Sequence, residues 1–135
     1  MRRGCGRTTW RTATSLRVYA TRDGAYRLVC AVSKAYPKGS GPHYWFAFHP
    51  AQSAFLSAVP NAFIAYGCGS AERVLLFPFA EFLPLVQNMS TTTKDAKSYW
   101  HVHVDEIRGR YYLTQPLLGT KVDVSEYLLK PMSMK

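Results

Sequence analysis

The stretch Tyr99-Trp100-His101-Val102-His103-Val104-Asp105 decides how this chain is read. In an extended strand, successive side chains point to opposite faces. His101, His103 and Asp105 then share one face, and Trp100, Val102 and Val104 share the other. The second face is apolar enough to lie on a core. The first carries two imidazoles and a carboxylate, a dense polar group in an otherwise apolar and aromatic chain. The alternation predicts a half-buried strand with one solvated face.

Downstream, Arg108-Gly109-Arg110 reads as a turn and Tyr111 to Gln115 as the return strand. Asn88 to Ser98 reads as a polar loop. Upstream, His43 to His49 is a second aromatic strand. Tyr44, Phe46 and Phe48 form its core face, and His43, Trp45, Ala47 and His49 its other face. Pro50 ends that strand and can occupy the first position of a helix over Ala51 to Val59. Ala62 to Tyr66 and Arg73 to Phe77 are continuous apolar runs, which predicts buried strands. A helix follows around Ala80 to Met89. Nearer the start, Leu16 to Ala20 and Ala25 to Val32 flank Asp23-Gly24, a strong hairpin signal. A last helix is expected over Ser125 to Lys130, with Ser125 as its cap. The order β-β-β-α-β-β-α-β-β-α predicts an α+β fold: a mixed, mainly antiparallel sheet with two or three helices packed on it.

The chain has 135 residues, enough for one domain with one core. We expect an irregular basic arm over 1–14 and a single domain over 15–135. Lys and Arg number 17 against 8 Asp and Glu, a net charge of +9. Arg2, Arg3, Arg7 and Arg11 lie in the arm, and 13 cations against 8 acids remain without them. Such a balance permits a nucleic-acid partner without requiring one. Cys5, Cys30 and Cys68 are an odd set with no CxxC spacing, which argues against a disulfide scaffold and a zinc ribbon. The expectation is a cytoplasmic or other reducing compartment. No apolar run reaches membrane-spanning length, so no membrane partner is expected.

Three constellations are candidates for chemistry. His43, His49, His101 and His103 are candidate metal ligands if the two histidine strands are neighbours. A His-x-His pair on one strand face suits a divalent metal, with Asp105 as a third ligand or an orienting carboxylate. The same group, with His101, His103 and Asp105 as catalytic residues, suits acid–base chemistry without a metal. An ordinary solvated sheet face accounts for the same pattern. Gly67-Cys68-Gly69-Ser70 is a tight loop in which Cys68 is a nucleophile or a buried small thiol. Arg17, Arg22, Arg27, Lys34, Lys38, Arg108 and Arg110 are the candidate nucleic-acid contacts, with nearby Tyr and Trp able to stack on bases.

The run from Tyr26 to Leu56 goes strand, Ser33-Lys34, Pro/Gly loop, aromatic strand and helix. A strand, a Gly-containing loop, Val74-Leu75-Leu76-Phe77-Pro78 and another helix follow. Over roughly residues 15 to 90 this order resembles the restriction-endonuclease-like superfamily of PD-(D/E)xK nucleases. The resemblance places Lys34 on the family's catalytic lysine. Val32 then stands at the acidic position of the (D/E)xK element, and Leu16 to Ala20 holds no Asp. It therefore implies a nucleic-acid-binding domain with a degenerate, metal-poor nuclease site, or an accessory domain. Three functions follow as expectations: a basic nucleic-acid-binding domain, a metal-dependent or histidine-catalysed enzyme, and a protein-interaction module built on the Tyr44 and Trp45 strand edge.

Overall fold

The computed structural model describes residues 8–10, 17–37, 39 and 41–129, the first group by backbone alone. The candidate contact Lys38, the arginines of the arm and Cys5 lie outside the described residues. The strands are β1 (Thr8–Trp10), β2 (Arg17–Ala20), β3 (Tyr26–Ser33), β4 (His43–Phe48), β5 (Asn61–Cys68), β6 (Val74–Pro78), β7 (Thr91–Lys94), β8 (Lys97–Ile107), β9 (Arg110–Gln115) and β10 (Thr120–Asp123). Helix α1 (Pro50–Ser57) follows β4, and α2 (Phe79–Val86) follows β6. The fold is α+β. One sheet runs β1-β2-β3-β5-β6, and the other runs β10-β9-β8-β4 with β7 on the far end of β8. Among the described strands, β3 and β5 alone pair in parallel.

Local chemistry explains the chain reversals. Between β2 and β3, Gly24 takes a left-handed φ of 74°, which glycine adopts without steric cost. The Asp23 carboxylate accepts the Thr21 hydroxyl at 2.7 Å and the Ala25 N–H at 3.0 Å. At the start of α1, Pro50 supplies the fixed φ of a first helical position. The Gln52 side chain accepts the His49 backbone N–H at 2.9 Å, one half of a capping box.

The two sheets meet through aromatic side chains. Tyr44, Phe46 and Phe48 of β4 are buried, as are Val102 and Val104 of β8 and Leu113 of β9. They face Ile64 and Tyr66 of β5 and Leu75 and Phe77 of β6. Phe46 stacks on Tyr66 at 4.1 Å between ring centres. Phe82 of α2 closes the layer against Phe48, Tyr66 and Phe77. Each such side chain contributes roughly 1.5–3 kcal/mol by leaving water. Helix α1 contacts β3 and β5, and α2 contacts β5 and β6.

Several expectations change. The arm is not irregular throughout, because Thr8–Trp10 pairs antiparallel with β2. The polar loop over Asn88 to Ser98 contains β7, whose β-branched threonines pair with the start of β8. A further strand, β10, follows β9. The last helix is a single 3-10 turn, Ser125–Tyr127. Strands β5 and β6 alternate half-buried and buried residues, because the second sheet and the helices cover one side of the first sheet.

Candidate functional site

The site is built by the pairing of β4 with β8. The register sets His43 opposite Asp105, Trp45 opposite His103 and Ala47 opposite His101. The N–H of His43 bonds to Tyr36 O at 2.9 Å, and the N–H of Trp45 bonds to the Ser33 hydroxyl at 3.0 Å. Both point away from β8. These rows are therefore the non-hydrogen-bonded pairs of the ladder, in which facing side chains approach most closely. Alternation puts the whole row on the face opposite the aromatic core.

A hydrogen-bonded chain runs along this face. The buried Asp105 carboxylate, 3 % exposed, holds His43 Nδ1 at 2.6 Å through Oδ1 and Lys121 Nζ at 2.8 Å through Oδ2. His43 Nε2 lies 3.0 Å from His103 Nδ1. A carboxylate can only accept, so His43 carries its proton on Nδ1. In its neutral form Nε2 is then a lone pair that accepts from His103 Nδ1–H, so a neutral His103 is unprotonated on Nε2. A second chain lies beside the first. Trp45 Nε1–H is a donor only, and it bonds to His101 Nδ1 at 3.0 Å. His101 therefore carries its proton on Nε2, which bonds to Thr92 Oγ1 at 2.6 Å. The His101 and His103 rings are 5.9 Å apart and parallel within 5°. Two adjacent imidazoles are thus set in opposite tautomers, one with a lone pair on Nε2 and one with an N–H there.

Of the four histidines, His43, His101 and His103 come together with Asp105 and Trp45. His49 stands apart at the head of α1, where its ring meets Tyr99 at 5.5 Å. Among the described residues, no group of three or more His, Cys, Asp or Glu side chains is placed to hold a metal ion. The reason is visible in the chain itself: the facing nitrogens of His43 and His103 bond to each other and do not converge on a common point. Thr92 and Lys121 complete the site, and neither was singled out from the sequence. The Thr91-Thr92-Thr93 run was the available signal for a strand there.

The basic candidates are dispersed. Arg27 donates to Phe55 O at 2.9 Å and lies over the Phe55 ring, so it fastens α1 to β3. Arg110 pairs with Asp123 at 2.8 Å. Arg17 is half-buried on β2, while Arg22 and Arg108 are exposed at turns. Lys34 is exposed, with its Nζ 5.2 Å from the centre of the Tyr36 ring. Seven of the 17 Lys and Arg residues lie outside the described residues, with none of the 8 acids, leaving ten cations against eight acids in the described part. Cys68, at the end of β5, is buried, and burial pushes its thiol up to about 12, followed in effect by the nearby Glu106. Tyr44, whose hydroxyl donates to Glu106 at 2.7 Å, is likewise raised, by burial first and then by that bond. Cys68 is therefore a packed thiol and lacks the electropositive, exposed setting of a nucleophile. Along the outer edge of β4 runs a groove of about 440 Å³, walled by Ser33, Lys34, Tyr36, Trp45, His49 and Gln52. Among the described residues, no helix is long and apolar enough to cross a membrane.

Comparison with known proteins finds no matching family model, no similar curated protein and no similar solved structure.

Proposed function

We propose that this domain is a histidine-based acid–base catalyst, with His103 as the proton-accepting group and His43 and Asp105 as the residues that position it. The observation that supports this reading is the chain Asp105–His43–His103, at 2.6 Å and 3.0 Å. A proton taken at His103 Nε2 allows the Nδ1 proton to pass to His43 Nε2. The positive charge then rests on His43, in contact with the buried Asp105 carboxylate. That contact gives a protonated His43 a charged hydrogen-bond acceptor. Histidine is the side chain that general acid–base catalysis uses most often. His101 complements it as a neutral N–H donor able to face developing negative charge.

Diethyl pyrocarbonate tests this reading, since it acylates an imidazole through its lone pair. Peptide mapping of the native protein is expected to show His103 modified faster than His101, and Asp105→Asn is expected to slow the modification of His103. Equal rates at the two residues, or no response to Asp105→Asn, would contradict the reading.

A further inference from the structure

The groove of about 440 Å³ along β4 has three rings on its wall, Tyr36, Trp45 and His49, and one cation, Lys34. Among the described residues, no Asp or Glu lines it, and neither do His43 and His103. Tyr36 is 39 % exposed, and the Lys34 ammonium lies 5.2 Å from its ring centre. The Trp45 ring is held before any ligand arrives, because its Nε1–H bonds to His101 at 3.0 Å, and a ring already ordered costs less to bind. The row of rings continues on β8. Tyr99 lies 5.5 Å from His49 and 6.5 Å from Trp45, ring centre to ring centre. Beyond it, on the same face of β8, Lys97 stands directly opposite Lys94 of β7. Both lysines are exposed, and among the described residues neither has an ion-pair partner. Asp95, in the turn between them, is the one acid of that hairpin. Like charges set opposite each other weaken a strand pair, and an anion bound between them relieves that cost.

We propose that this track binds single-stranded nucleic acid, with bases stacked along Tyr36, Trp45 and Tyr99. Lys34 meets phosphate at one end, and Lys94 and Lys97 meet it at the other. Aromatic rings between cations, along a wall free of carboxylates, are the elements by which proteins hold a single strand. An acidic peptide satisfies the lysines but leaves the rings unused. A duplex does the same, because its base faces are covered by their neighbours in the stack. Every base has a face to stack, so binding is tolerant of sequence. No proton moves in this binding, which therefore stands or falls separately from the acid–base role of His103.

The test titrates the full-length protein into a short fluorescein-labelled oligothymidine, and into its duplex with oligoadenosine, and reads anisotropy at low ionic strength. Polyglutamate serves as a competitor that offers charge without bases. A strand carrying 5-iododeoxyuridine is crosslinked by ultraviolet light and the adducts are mapped by peptide mass spectrometry. The single strand is expected to bind, more tightly than the duplex, and to resist displacement by polyglutamate at equal charge. Crosslinks are expected at Tyr36, Trp45 or Tyr99. Trp45→Ala should weaken binding by roughly 5- to 150-fold, the loss of one stacked base. Tyr36→Ala, at an exposed position outside the core, should weaken it in the same sense. Lys34→Gln should lower the slope of log affinity against log salt by about 0.7, the loss of one phosphate contact on a single strand. No detectable binding, a duplex bound as tightly as the strand, or ready displacement by polyglutamate would overturn the inference. So would crosslinks confined to other residues, the basic arm over 1–14 included. The crosslink map requires no protein variant, so a folding defect cannot imitate its result.

Discussion

At the scale of single residues, the site depends on a carboxylate that is nearly excluded from water. Asp105 has a donor on each oxygen, His43 and Lys121. Hydrogen bonds to a charged group contribute about 1.5–3 kcal/mol each. Asp105→Asn removes the charge and presents an NH₂ group toward one of those donors. We expect it to lower stability by about 1.5–3 kcal/mol, read from urea unfolding, and a loss below about 0.5 kcal/mol would argue that the carboxylate is not held as described. Cys68 gives an independent check. Its thiol, pushed up to about 12 by burial, stays protonated near neutral pH. Iodoacetamide at pH 8 should leave Cys68 unmodified in the native protein and label it after unfolding. The face of His101, His103 and Asp105 was legible in the sequence, because period-two alternation is the one pattern a strand cannot hide. The partners Thr92 and Lys121 were not, because a residue two strands or one hairpin away joins a site through register, which no local pattern records.

At the scale of elements, two features hold the histidine strands in place. The loop before β4 is fixed to β8 by the Glu106 N–H bonded to Pro42 O at 2.9 Å. Gly41 makes that approach, with a φ of 151°, and a Cβ there would lie 2.1 Å from Glu106 O. Gly41→Ala should therefore lift the loop from β8 and weaken the β4–β8 pairing, seen as faster amide exchange of Tyr44 and Val104. Unchanged exchange would show that the loop is not what fixes the strand. The second feature closes β10. The Asp123 carboxylate accepts the Ser125 N–H at 2.9 Å and meets Arg110 at 2.8 Å, and it is held down at about 2, from 3.8, chiefly by the Ser125 bonds. A carboxyl depressed on folding stabilises the protein above its unfolded value and loses that contribution as pH falls through its folded value. The parent and Asp123→Asn should differ in stability above about pH 4 and converge near pH 2. Sequence reasoning found β2, β3, β4, β8 and β9 from alternation and turn chemistry. It missed β7 and β10, which are short, exposed and polar, so that pairing with a neighbour and not core burial makes them strands.

At the scale of the whole molecule, the aromatic interior between the two sheets sets both stability and the orientation of the site. Phe82 is fully buried and touches rings from both sheets. Phe82→Ala should cost about 3–5 kcal/mol without altering which face of β8 is solvated. The net charge is +9, but the surplus sits mainly outside the described residues, and inside them Arg27, Arg73, Arg110 and Lys121 are engaged with protein partners. Composition reports how many cations a chain has and not how many are already neutralised.

The site rests on Asp105 and Trp45 setting His103 and His101 in opposite tautomers. Two-bond ¹H–¹⁵N correlation spectra of the imidazole rings, recorded where the rings are neutral, measure this directly. The expected spectrum shows protonated Nδ1 and unprotonated Nε2 for His43 and His103, and the reverse for His101. A His103 protonated on Nε2 under those conditions would contradict this arrangement.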